Sequence, residues 1–213
     1  MTENLLFEIE EWVQDKLAEC EAGHDWWHII RVRNNAQKIH EHEKGDWHVI
    51  LLAVLLHDVA DTKFFDEFES LMLIEQKLLD LQIERHVIDH VILIIQNMSF
   101  SKQWSEEQFE SHELKIVQDA DRLDAMGAIG VARAFSYGGH KGRDFYNPDI
   151  KPQSYDDAEA YRSSDSPTIN HFYEKLLLLK EQMNTETGRL MAEDRHRFME
   201  DYLKQFFKEW GPE

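Results

Sequence analysis

Leu51-Leu52-Ala53-Val54-Leu55-Leu56-His57-Asp58-Val59-Ala60-Asp61 is the stretch that decides the reading of this chain. Six apolar residues lead straight into a His-Asp pair, and Asp61 follows Asp58 by three positions. Apolar residues on every side predict a helix buried on most of its faces. An imidazole and carboxylates at the end of such a segment are costly unless something compensates them. A metal ion is the commonest compensation that uses both groups.

Outward from that stretch the chain reads as helical. It has 213 residues, 42% of them hydrophobic, with only 4 Pro and 9 Gly. That length suits one large domain, and few tight turns move the expectation to an all-α fold of about eight or nine helices over residues 1–213. Leu5, Ile9, Trp12, Val13 and Leu17 recur at helical spacing. A second helix starts near Asp25 and carries Ile29, Val32, Ala36 and Ile39 inward. Asp46 caps the helix that holds the opening stretch, and Asp66, with Glu69 three later, reads as a capping box. A further helix runs from Glu84 to about Gln96, with Val87, Ile88, Val91, Ile92 and Ile95 inward.

The helix from about Ser111 to Ala134 contains Gly127 and Gly130, which predict close packing or a break. Residues 135–165 are the least helical stretch and a candidate lid or irregular insertion, with room for a small β excursion. Ser166-Pro167 reads as a helix start, with Ser as cap and Pro at the first helical position, for a helix to about Met183. Thr185 caps the last helix. The segment 166–213 is expected to pack its helices on the core.

A formal net charge of −19 argues against nucleic acid and anionic membrane as partners. Cys20 is alone, which leaves no disulfide framework and no thiolate zinc site. No apolar run approaches the ~18 residues of a membrane span. The expectation is a cytoplasmic protein, monomer or homodimer.

Two more candidate ligand segments stand out. His28 faces inward at the start of the second helix. Gln118-Asp119-Ala120-Asp121-Arg122-Leu123-Asp124 sets three carboxylates in an otherwise apolar helix, with Asp121 and Asp124 on one face. His28, His57, Asp58 and Asp121 form a set of two imidazoles and two carboxylates. Such a set suits Mn²⁺, Fe²⁺, Co²⁺ or Zn²⁺ with coordination positions left open.

The order His28 … His57-Asp58 … Asp121 resembles the HD-domain metal-dependent phosphohydrolase superfamily. Asp25-Trp26-Trp27-His28 with Arg31-Val32, Leu55 to Asp61 with Lys63-Phe64, and Gln118 to Ala125 with Gly127 and Gly130 resemble its small bacterial YedJ/YpgQ-like group. So do Ala132-Arg133-Ala134-Phe135 and His171-Phe172-Tyr173-Glu174-Lys175-Leu176. The resemblance runs from about Gly23 to Trp210. It implies an all-α HD fold, one divalent metal ion (Mn foremost, with Mg, Fe, Co, Ni or Zn as alternatives), and His28, His57, Asp58 and Asp121 as its ligands. It also implies hydrolysis of a phosphate ester or anhydride in a small nucleotide.

The substrate expected first is a nucleoside triphosphate, cleaved to monophosphate and pyrophosphate. The alternatives are a 5′-nucleotidase, a guanosine tetraphosphate hydrolase or a metal-dependent nucleotide-binding sensor without turnover. Asp61 matches the acidic position that orients or deprotonates the attacking water, and a sensor needs no such base. Lys63, Arg31 and Lys175, the last four residues after His171 on one helix face, are candidate phosphate contacts, and Asp124 is a candidate substrate contact. His86 and His90, at i and i+4, could take a second metal but fit a solvated face better. Trp26 and Trp27 could stack a base, though two Trp at a helix start are more often core.

Overall fold

The computed structural model describes residues 2–18, 25–60, 66–98, 109–155 and 165–211. Among them it has nine α-helices and no strand: α1 Glu3–Leu17, α2 Trp26–Glu43, α3 Trp47–Leu56, α4 Glu67–Asp80, α5 Arg85–Gln96, α6 His112–Asp124, α7 Gly127–His140, α8 Thr168–Glu174 and α9 Glu186–Trp210. The all-α expectation holds. No helix among these residues is long and apolar enough to cross a membrane. The chain divides into two compact units, Met1–Ala120 and Asp121–Glu213, with the boundary inside α6.

In the first unit, α3 is the centre. Every residue from Val49 to Leu56 is buried, and α2 and α5 pack against it. Truncating one such side chain, Leu52→Ala for example, would cost about 2–5 kcal/mol. Local chemistry fixes where α2, α3 and α4 begin. Asp25 Oδ1 accepts from the His28 N–H at 2.9 Å, Asp46 Oδ1 from His48 at 2.9 Å, and Asp66 Oδ1 from Glu69 at 2.9 Å. These carboxylates satisfy donors that the first helical turn leaves open and favour its positive dipole end. α5 buries Val87, Ile88, Val91, Ile94 and Ile95, whereas Ile92 is half-buried. Its inward stripe is turned slightly from the one the sequence suggested.

The second unit holds α7, α8, α9 and a 3-10 run, Leu176–Gln182. Its buried side chains are mostly aliphatic, Ile169, Leu176, Leu179, Met199 and Leu203 among them, and the buried Phe172 stacks on the half-buried Tyr202 with ring centroids 5.9 Å apart. The helix expected from Ser111 to Ala134 breaks between Asp124 and Gly127, one of the two outcomes expected at Gly127 and Gly130. Gly127 has φ +68, a conformation that side chains resist. A Cβ on Gly130 would lie 2.2 Å from the Ala125 carbonyl oxygen, so the chain folds back on itself there more closely than any side chain allows.

Three expectations need correction. α7 continues to His140, so the irregular region starts after it, and no strand occurs in 141–155. Ser166 does not cap α8: its hydroxyl donates to Glu174 Oε1 at 2.8 Å, and Pro167 stands at the cap position. The helix expected to reach Met183 stops at Glu174, where Lys175 takes φ −145, ψ −58. Beyond it the buried Leu176 and Leu179 are three apart, the period that a 3-10 turn aligns on one face. Thr185 caps α9 as expected, accepting from the Gly188 N–H at 2.9 Å.

Candidate metal centre

α3 ends at Leu56, and His57-Asp58-Val59-Ala60 forms a 3-10 turn. The tightened turn follows the most buried helix of the unit, so both polar side chains remain inside: His57 is 8% and Asp58 3% exposed. His28, in the first turn of α2, is 0% exposed.

These three side chains converge. His28 Nε2 lies 3.3 Å from His57 Nε2 and 3.4 Å from Asp58 Oδ2, and His57 Nε2 lies 3.3 Å from Asp58 Oδ1. The rings meet at 63° with centroids 5.4 Å apart. His57 Nδ1 is 2.8 Å from the Val54 carbonyl oxygen. Nδ1 therefore carries the proton, and Nε2 turns its lone pair to the other two groups. Three electron-pair donors within 4.8 Å of one another, all buried, are the donor chemistry of a divalent cation of the borderline class. The residues present fit such an ion. Theirs is also the one group of at least three potential His, Cys, Asp or Glu ligands among the described residues.

Asp121, expected as the fourth ligand, is half-buried on α6 and belongs to the second unit. Asp61 and Lys63 lie outside the described residues. Arg31 is half-buried on α2, one turn beyond His28. Asp119 is 0% exposed on α6.

In the second unit, Asp124 is 1% exposed and accepts from Arg133 Nη1 at 2.7 Å. Burial pushes the Arg195 guanidinium below its ordinary range, with Asp124 opposing that shift. Lys175 is half-buried and sits past the end of α8, not on a helix face with His171. Burial foremost, then the charges of Lys175 and Arg143, push His171 down to about 3. It is held as a neutral imidazole.

His86 pairs with Glu84 at 3.3 Å on the surface and His90 with Ser111 Oγ at 3.0 Å, so each imidazole has a partner of its own. Trp27 is 65% exposed and Trp26 half-buried, so Trp27 is not a core residue. The sequence reading missed two partners. The Val54 carbonyl orients His57 but carries no side-chain signal. Arg133 stands nine positions from Asp124, too far for any single-helix spacing rule to link them.

Comparison with known proteins gives the family. The HD domain family model matches residues 26–126. YpgQ of Bacillus subtilis, itself uncharacterized, is 40% identical over 95% of this chain and 92% of its own length. A Lactobacillus plantarum structure superposes with TM-score 0.86 at 37% identity, covering 98% of each chain. A Bacillus thuringiensis HD-superfamily hydrolase superposes with TM-score 0.77 at 42% identity, covering 99% of this chain and 98% of its own. A structure of Bacillus subtilis YpgQ in complex with ADP superposes with TM-score 0.78 at 38% identity, covering 97% of this chain and 95% of its own.

An all-α fold with this cluster at its core defines a metal-dependent phosphohydrolase. The chain belongs to the HD-domain family, and its similarity to YpgQ runs over nearly its full length.

Proposed function

We propose that the protein is a nucleoside triphosphate pyrophosphohydrolase that works with one divalent cation, Mn²⁺ foremost. The observation that carries this reading is the buried triangle of His28 Nε2, His57 Nε2 and the Asp58 carboxylate, with edges of 3.3, 3.4 and 3.3 Å. The ADP complex of YpgQ supports a nucleotide as the ligand.

In this reading His28, His57, Asp58 and Asp121 hold the ion. When bound, such a cation acidifies a coordinated water and polarises a phosphoryl oxygen. Asp61 accepts the proton of the attacking water. Water oxygen bonds to the α-phosphorus, the bridging oxygen leaves with the pyrophosphate, and nucleoside monophosphate remains. Arg31, Lys63 and Lys175 offset charge on the phosphoryl oxygens. Asp124 acts through Arg133, whose guanidinium it holds.

Metal analysis of the purified protein, followed by a panel of ribo- and deoxyribonucleoside mono- and triphosphates with guanosine tetraphosphate, tests this. Pyrophosphate release is expected with Mn²⁺ and none with EDTA. Release of neither pyrophosphate nor phosphate across the panel would refute it. Phosphate as the sole inorganic product would move the assignment to a 5′-nucleotidase, and cleavage at a guanosine 3′ position to a tetraphosphate hydrolase.

A further inference from the structure

The first turn of α2 carries two residues of opposite character side by side. His28 is 0% exposed and aims Nε2 into the metal triangle, while Trp27 beside it is 65% exposed. The turn is held by the Asp25 cap, whose carboxylate accepts from the His28 N–H itself at 2.9 Å. Trp27 therefore stands at a fixed place on the first turn of α2, next in sequence to a member of the cluster. Consecutive Cα atoms lie about 3.8 Å apart, so the indole and the ligating imidazole leave the helix within one turn of each other. Arg31, four residues on, shares the helix face of Trp27 and lies three positions from His28.

Leaving an indole in water forgoes one of the largest apolar burials a side chain offers. An exposed Trp one residue from a buried His of the cluster is placed where a bound ligand could cover it. Beside a phosphate-handling centre, the part of a nucleotide that offers a flat, apolar face is its base. Every base has such a face, and stacking on it is sequence-tolerant.

We infer that Trp27 stacks on the base of the nucleotide substrate while the phosphates lie toward His28 and Arg31. This rests on the nucleotide reading above and assigns base recognition to the first turn of α2. Since stacking discriminates weakly among bases, it also gives an enzyme with a broad base range.

Steady-state kinetics of wild type, W27A and W27F on nucleoside triphosphates test this, with inorganic tripolyphosphate as a base-free competitive inhibitor. Stacking persists from bound substrate to transition state, so its loss should appear in KM rather than kcat. W27A is expected to raise nucleotide KM about tenfold or more, as the loss of one stacked base does. W27F should retain most of the wild-type KM. Tripolyphosphate inhibition and metal content should be the same in all three proteins.

An unchanged nucleotide KM in W27A would overturn the inference. So would equal weakening of tripolyphosphate inhibition, because Trp27 would then support the pocket rather than the base. Wild-type protein that turned over no nucleotide would refute the pyrophosphohydrolase reading itself, a result separate from either of these.

Discussion

His57 donates through Nδ1 to the carbonyl of Val54, 2.8 Å away and one turn back along α3. The most buried helix of the first unit thus sets the tautomer and ring orientation of one member of the His28-His57-Asp58 cluster. Orienting hydrogen bonds of this kind change metal affinity or activity by 10–100-fold, and the ligand itself is worth more. His57→Ala should therefore lower activity by more than about a hundredfold and leave the protein with little bound metal. Its far-UV circular dichroism should match wild type, because removing an imidazole at the end of α3 leaves the apolar contacts of that helix in place. Metal content by mass spectrometry decides the matter: a full complement in His57→Ala would remove His57 from the ligand set.

Gly130 is a steric requirement. Its Cβ would meet the backbone oxygen of Ala125 at 2.2 Å, and backbone cannot move aside as a side chain tip can. Gly130→Ala should destabilise the protein by about 3 kcal/mol, the upper end of overpacking costs. Chemical denaturation should register this as a lower midpoint with an unchanged slope.

Asp124 and Arg133 are joined at 2.7 Å with the carboxylate almost fully buried. Removing one partner of such a pair leaves the other charge uncompensated. Arg133 is 21% exposed at its side chain, so water recovers part of the loss. Asp124→Ala should cost about 2–3 kcal/mol of stability, and the double variant Asp124→Ala, Arg133→Met should recover part of it. A double variant no more stable than the single one would show that the pair is not what Asp124 contributes.

His171 gives the fold an acid sensitivity of definite sign. Burial, with Lys175 and Arg143 next, holds its pKa at about 3 in the folded chain, against an ordinary 6.5. Between those values the unfolded chain binds a proton that the folded chain does not. Stability therefore rises with pH across the window and is lost as pH falls from 6.5 toward 3, by up to about 1.4 kcal/mol per pH unit from this group. Denaturation at pH 7.0, 5.5 and 4.5 should show a steeper acid loss in wild type than in His171→Gln. Parallel profiles would rule out His171 as the source.

Much of the fold was legible because its determinants are local. Asp46, Asp66 and Thr185 cap helices through hydrogen bonds to N–H groups two or three residues away, so the residues that form each bond sit together in the sequence. The apolar spacing of α1 and α2 follows the helical period, and Gly127 and Gly130 marked the place where α6 gives way to α7. Ser166 misled because Glu174, eight residues on, draws its hydroxyl away from the cap. The helix expected through Lys175 misled because its leucines satisfy a three-residue spacing as well as a longer one, and burial chose the tighter turn.

What the sequence determined alone is the helical class, most helix starts, and the presence of two imidazoles and several carboxylates at apolar positions. These depend on interactions within one or two turns of chain. Only the tertiary structure decided that His28 and His57, 29 residues apart, bring their Nε2 atoms within 3.3 Å, that Asp124 is tied to Arg133, and that Trp27 is turned to solvent next to the buried His28. Each of those outcomes depends on how one helix rotates and packs against another, and side-chain volumes summed over the core set that rotation.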